Sequence, residues 1–350
     1  MEVPSIFINR ILAESAKKSA SSLHLSVGSV PIIRTSGELN SLDSENILTV
    51  TVIDKIIESL LEENELAHLK KEKEITVVKN IAGNFRFRIN IFYQKDLPSV
   101  SFNYISGQIK KIEELDLPKA FNKILNLNSG LVVIAGPNDS GKTTTAATFI
   151  EELNNNEKRY VITLENPIEY LFVNKKSIIE QRQIGRDVEN YNEGINHSLN
   201  EDVDLVYIDE IKDEFNETIQ NILELASGNS LVILEMNADS SLRVIEKIIV
   251  ALSKKTSLEA ARFNLADTLV AIVVQKLIPS RGGGQALVAE VLIVNSAIKS
   301  LIREGKIYQI ESIIQTSREE GMISMARAIA EQVKAGKINQ TEIEKLKLNS

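Results

Sequence analysis

LVVIAGPNDSGKTTTAATFI, residues 131–150, runs from five apolar residues into a glycine-bounded loop and then a helix-favouring segment. The loop, Gly136-Pro137-Asn138-Asp139-Ser140-Gly141-Lys142-Thr143, matches G-x-x-x-x-G-K-[ST] between a buried strand and a helix start. The glycines let successive backbone N–H groups turn inward on a phosphate, and the positive end of the helix adds to that attraction. Gly136, Asn138, Ser140, Gly141, Lys142, Thr143 and Thr144 are the expected phosphate-lining positions. Lys142 is placed to reach the β- and γ-phosphates, and the Thr143 hydroxyl to hold Mg²⁺. A tight strand-to-helix turn that merely contains Gly and Lys is the bland alternative; eight matched positions in this context speak against it. A nucleoside triphosphate is the expected ligand.

Around this stretch the pattern alternates strand and helix in the manner of a parallel α/β sheet. Strands are expected at 131–135, 160–164, 204–208 and 231–234, and a hairpin at 270–294 around Arg281-Gly282-Gly283-Gly284-Gln285. The stretch 296–346 reads as helical. Before the sheet, residues 1–107 form a smaller domain: a helix through Phe7, Ile8, Ile11, Leu12 and Ala16, strands at 21–27 and 31–34, a helix at about 51–69, and strands at Glu74–Lys79 and Asn84–Tyr93. A charged, Pro-interrupted linker, 108–119, leads into the second domain at 120–350.

The 350 residues are 43% hydrophobic and 25% charged, which describes an ordinary globular protein of two domains. There is no cysteine, so no disulfide or thiolate-ligated zinc site is available. The net charge of −8 argues against a nucleic-acid binder. The N-terminal stretch does not read as a signal peptide, and no apolar run approaches the ~18 residues of a membrane span.

Phosphoryl transfer needs carboxylates near the metal or the attacking water. Asp204-Leu205-Val206-Tyr207-Ile208-Asp209-Glu210 is an apolar run ending in two of them. Glu165 and Glu169, in Glu165-Asn166-Pro167-Ile168-Glu169, project from the end of the strand before it, at the edge that also carries the loop. Either set reads alternatively as a solvated strand end.

These clusters, with Gln183-Ile184-Gly185-Arg186-Asp187 and Asp202 through Asp213, resemble the type II/IV secretion ATPase superfamily, and within it the pilus retraction ATPases. Ser22-Leu23-His24-Leu25-Ser26 and Phe87-Arg88-Ile89-Asn90-Ile91-Phe92 are similar to their N-terminal domain. Ala297 through Glu304, then Ile314-Gln315-Thr316 and Gly321-Met322, are similar to their C-terminal helices. The absent cysteines and short front end side with retraction rather than with extension or type II secretion. The resemblance implies an α/β fold: an N-terminal PAS-like domain plus a C-terminal RecA-like P-loop ATPase domain with a parallel sheet and a helical C-terminus. It implies ATP and Mg²⁺, a homohexamer with ATP between domains of neighbouring subunits, and a cytoplasmic place at the base of a type IV pilus. The implied partners are the inner-membrane platform protein and a homologous retraction ATPase, with no nucleic acid and membrane contact only through the platform. Glu165 or Glu169 would orient or deprotonate the attacking water, and Glu210 would sit at the second acidic motif beside the metal, directly or through water. Arg86 and Arg88 would reach phosphates from the first domain, or else form the solvated face of their strand. Arg303 and Glu304 would serve coupling.

The chain departs from the family pattern at Asn138 and Asp139 in the loop, at Asn166, at Asn237 where a histidine is usual, and at Asn103 where an arginine is usual. Asparagine hydrogen-bonds a phosphate oxygen but supplies no cation, so a low-activity or non-hydrolysing accessory paralogue is the alternative. An unrelated DNA motor is a third reading, against which the net charge of −8 speaks. His24 and His68 are expected to be structural or solvated.

Overall fold

The computed structural model describes residues 4–18, 20–35, 38–81, 85–119, 121–339 and 341. The chain forms two compact units, residues 1–108 and 109–350.

The first unit contains α1 (Pro4–Lys17), β1 (Ser22–Ser26), β2 (Ile32–Thr35), β3 (Glu38–Ser41), α2 (Val50–Leu60), α3 (Glu63–Glu72), β4 (Glu74–Ile81), β5 (Phe85–Gln94) and β6 (Leu97–Ile105). Its sheet runs β3-β2-β1-β6-β5-β4 with every pairing antiparallel. Such a sheet can bury one face and wet the other. β5 does this residue by residue: Phe87, Ile89 and Ile91 are buried, while Arg86, Arg88 and Asn90 between them are half-exposed. The buried face packs with Leu23, Leu25 and Phe102 against Ile11 and Leu12 of α1 and Ile53, Ile56 and Ile57 of α2.

Two corrections belong to this unit. The single helix expected at 51–69 is two helices, because Leu61 and Glu62 are extended and the Glu62 N–H is bonded by the Glu65 carboxylate at 2.8 Å, which starts a second helix. β3 and β6 lie in stretches not expected to be strands. Asn84, the expected first residue of β5, and residues 342–346 at the end of the expected helical stretch lie outside the described residues.

The second unit contains α4 (Phe121–Leu125), β7 (Gly130–Ala135), α5 (Lys142–Asn156), β8 (Tyr160–Glu165), β9 (Ile178–Gln183), α6 (Tyr191–Leu199), β10 (Leu205–Ile208), α7 (Phe215–Ser227), β11 (Leu231–Met236), α8 (Ser241–Leu252), α9 (Leu258–Thr268), β12 (Leu269–Pro279), β13 (Gln285–Ile293), α10 (Ser296–Glu304), α11 (Ile310–Thr316) and α12 (Met325–Lys334). Its sheet runs β13-β12-β7-β11-β10-β8-β9, parallel except for the antiparallel β12–β13 hairpin. β9 joins the edge through polar residues that carried no strand signal. Ile112 and Leu117, from the expected linker, pack on this unit's core.

Both faces of this sheet are covered, so its central strands read as unbroken apolar runs. Side chains alternate between two cores. Val133 and Ala135, Val206 and Ile208, and Val232 and Leu234 enter one core. Val132 and Ile134, Leu205 and Tyr207, and Leu231 and Ile233 enter the other, against Ala146, Phe149 and Ile150 of α5. By the same alternation Thr163, Glu165, Glu235 and Gln275 fall on the α5 face, all buried, toward the strand ends where the glycine loop begins.

Candidate nucleotide site

The loop between β7 and α5 is shaped by what its glycines permit. A methyl group on Gly136 would stand 2.3 Å from Ser140 Oγ and 2.6 Å from the Gln275 carbonyl oxygen, so only glycine fits. Gly141, the residue capping α5, has φ of 87°, the left-handed region that glycine enters without strain. Asp139 is left-handed too, with φ of 59°. Aspartate is among the few other residues that tolerate this conformation. Asp139 is exposed, so the charge that would oppose a bound phosphate is met by solvent. Ser140 Oγ is buried and has no hydrogen-bond partner. A buried hydroxyl left unsatisfied inside a glycine cradle is what a ligand oxygen would complete.

Lys142 is buried, and its Nζ donates to the carbonyl oxygens of Gly136 at 3.1 Å and Pro137 at 3.0 Å. It also pairs with Glu210 Oε2 at 3.2 Å. The ammonium is thus held over the loop by its own backbone and by the second acidic motif. The Thr143 hydroxyl donates to Glu235 Oε2 at 3.3 Å. Thr144 turns aside, its hydroxyl 3.0 Å from that of Tyr170.

The carboxylates divide their work. Asp209 accepts from the Asn166 backbone N–H at 2.6 Å and from the Tyr191 hydroxyl, which ties the end of β10 to the turn after β8. Glu210, next in sequence, is the one that meets Lys142. Glu165 is 3% exposed; its Oε1 accepts from Thr163 Oγ1 at 2.6 Å and Gln181 Nε2 at 3.2 Å. Burial pushes its carboxyl up to about 7, helped by the negative charges of Asp209 and Glu169 and opposed by the Thr163 and Gln181 hydrogen bonds. Glu169 is half-buried. Glu235 is also 3% exposed, and burial pushes it up to about 8 against the Tyr207 hydrogen bond of 2.6 Å. Burial and the nearby carboxylates raise Tyr207 well above its ordinary value, so it stays a donor.

Of the residues expected from sequence, Lys142 and Glu210 come into direct contact, and Glu165 and Glu169 share one electrostatic neighbourhood with Glu235. Arg86 and Arg88 lie on β5, in the other unit; Arg88 stands opposite Asn103 in the β5–β6 register. Two of the departures meet: Asn237 Nδ2 donates to Asn138 Oδ1 at 3.1 Å. Arg303 pairs with Asp267 and lies over the Phe263 ring, 5.5 Å from its centroid. His24 is half-buried, 2.9 Å from Ser22 Oγ, and His68 is exposed.

Sequence reasoning missed Glu235, Tyr170, Tyr207 and Gln181. Glu235 left a signal: a carboxylate inside Leu231-Val232-Ile233-Leu234-Glu235-Met236, a strand buried on both faces. The other three left none, being ordinary strand and loop residues until the fold brings them to the same corner.

Among the described residues no group of three or more His, Cys, Asp or Glu is arranged to hold a metal. Mg²⁺ is commonly held by one or two protein oxygens together with substrate phosphates. Thr143 and Glu210 offer hard oxygen donors of the kind such an ion takes.

The type II/IV secretion system protein family matches residues 4–282. The type IV pilus retraction ATPase PilT of Pseudomonas aeruginosa is 31% identical over 333 residues, spanning 95% of this chain and 96% of that protein. The type IV pilus ATPase PilU of the same organism is 26% identical, over 94% of this chain and 85% of its own. Among solved structures, the pilus retraction motor PilT with bound ADP superposes with a TM-score of 0.80 at 30% identity, over 96% of this chain and 95% of that one. The Legionella pneumophila ATPase DotB superposes at 0.83 with 20% identity, over 99% and 96%, which shows the shared fold. The chain belongs to the type II/IV secretion system protein family.

Proposed function

We propose that this chain is an ATP-hydrolysing motor of type IV pilus retraction. The observation that carries it is the buried Lys142, held across the glycine loop by Glu210, in a chain 31% identical along nearly its whole length to a retraction ATPase. In the proposed complex Lys142 exchanges its carbonyl partners for phosphate oxygens, and the loop amides with Ser140 complete the cradle. Mg²⁺, held from Thr143 with Glu210 nearby, would neutralise charge on the phosphates. Glu165, with its carboxyl near neutrality, is suited to accept a proton from the attacking water, and Glu169 to orient that water. Arg86 and Arg88 would bring cations from the first unit of a neighbouring subunit in a homohexamer. The assembly would dock on the inner-membrane platform protein from the cytoplasm, beside a homologous retraction ATPase, and would not bind nucleic acid. Among the described residues no helix is long and apolar enough to cross a membrane.

A second reading has its own support. Asn237, in the place of a histidine, is spent on Asn138, and Asn103 supplies no cation. A slow accessory subunit that binds ATP would show these features. One assay separates the two: phosphate release from Mg·ATP by the purified protein, with Lys142→Ala and Glu210→Gln alongside. The motor reading expects wild-type turnover at least ~10²-fold above both variants. Turnover at the Lys142→Ala background despite measurable ATP binding sinks it and leaves the accessory subunit.

A further inference from the structure

The proposed hydrolysis leaves one carboxyl on the α5 face unused. Glu235 is the fifth residue of β11, 3% exposed, in a strand whose other five residues are apolar and buried. A carboxylate in that position is costly unless each oxygen is satisfied, and each is. Oε1 accepts at 2.6 Å from the hydroxyl of Tyr207, which lies on the neighbouring strand β10 opposite Ile233. Oε2 accepts from the Thr143 hydroxyl at 3.3 Å.

The second bond matters for what Thr143 can do. A hydroxyl has one hydrogen and two lone pairs. When its oxygen turns a lone pair to a cation, the hydrogen must point to an acceptor on the other side. Glu210, the acidic residue the sequence motif favours, faces Lys142 instead. The acceptor Thr143 meets is Glu235, and Tyr207 pins the opposite carboxylate oxygen so that Oε2 stays where Thr143 needs it.

We infer that Glu235 is the positioning residue for the divalent cation of the phosphate loop: it takes the hydrogen of the Thr143 hydroxyl and so fixes that oxygen toward the metal. The inference rests on the nucleotide-binding reading. It also explains why a carboxylate stands near the end of an otherwise apolar strand. Outer partners of this kind alter metal affinity by about 10–100-fold when removed.

The test uses the full chain and two binding measurements. Fluorescent ADP is titrated in EDTA, and Mn²⁺ is titrated into the ADP complex with free Mn²⁺ read by electron paramagnetic resonance. Glu235→Gln should weaken Mn²⁺ at least ~10-fold and leave ADP affinity in EDTA unchanged. Tyr207→Phe, which keeps the ring, should weaken Mn²⁺ several-fold in the same direction. Adding Glu235→Gln to Thr143→Ala should cost nothing further, because the two act through one bond. Mn²⁺ affinity within twofold of wild type in Glu235→Gln overturns the inference. So does an equal loss of ADP affinity with and without metal, the mark of a merely structural role. If Glu235→Gln does not fold, Tyr207→Phe decides: unchanged Mn²⁺ affinity overturns the inference and a several-fold loss supports it. Failure of the wild type to bind ADP at all would remove the nucleotide reading along with this one, whereas normal ADP binding with unaltered Mn²⁺ affinity removes this one alone.

Discussion

Strands β5 and β11 both set charged side chains among apolar ones, and the two sheets dispose of them in opposite ways. On β5, Arg86 and Arg88 alternate with Phe87 and Ile89, so the pleat carries each guanidinium to the outer face. On β11 the pleat has no outer face to offer: Glu235 points into the α5 core and must be answered by Tyr207 and Thr143. A charge in the first sheet stays half in solvent and therefore costs little. An ionisable group in the second is buried and answered by partners, and those partners mark a site. The same contrast holds for Glu165, buried beside Thr163 and Gln181 on β8.

The sharpest way to break this comparison is to add a charge where no partner waits. Val206→Asp in β10, at a fully buried position, should cost more than ~4 kcal/mol and yield no folded protein by circular dichroism. A soluble, cooperative Val206→Asp would mean that the second sheet tolerates charge after all. A smaller effect comes from the charge already present. Between pH 4.5 and about 7 the folded protein keeps a proton on Glu165 that the unfolded chain has released, so this group makes stability fall as pH rises. Glu165→Gln removes that dependence. Its stability relative to wild type, from urea melts, should climb by about 3 kcal/mol between pH 4.5 and 7.5. A difference that stays flat across that range would show the carboxyl to be hydrated in the folded state. Least of all, Arg86→Ala on the wetted face of β5 should change urea stability by no more than ~0.5 kcal/mol; a loss of several times that would show this face to be packed.

The same contrast explains what could be read from the sequence. β7, β10 and β11 were legible because strands covered on both faces are written as plain apolar runs, and the loop after β7 carries its glycines at fixed spacing. The alternation of β5 was equally plain. β6 was not, since Pro98 argues against a strand, although it sits at the hairpin end of the ladder opposite Tyr93. β9 escaped because its sequence, Ile178 to Gln183, is mostly polar and it pairs on one side only, with β8. At the site, Lys142, Thr143 and Glu210 were legible as motif positions. Glu235 matches no motif, and the family pattern marks Asn237, two residues later. Tyr170 and Gln181 are recruited across the chain by the packing of β8 against β9, which no local pattern announces.

The chain beyond α11 returns to the sheet: Ile323 exchanges both backbone hydrogen bonds with Val291 of β13, at 2.9 and 3.0 Å, and Ile338 bridges to Ser280 at the far end of the hairpin. β13 is an edge strand on its outer side, and an open edge is a template for another molecule's strand. The stitch through Ile323 makes the tail a guard rail along that border. A chain cut short ahead of Ile323 would lose it and leave β13 free to recruit strands from neighbouring copies.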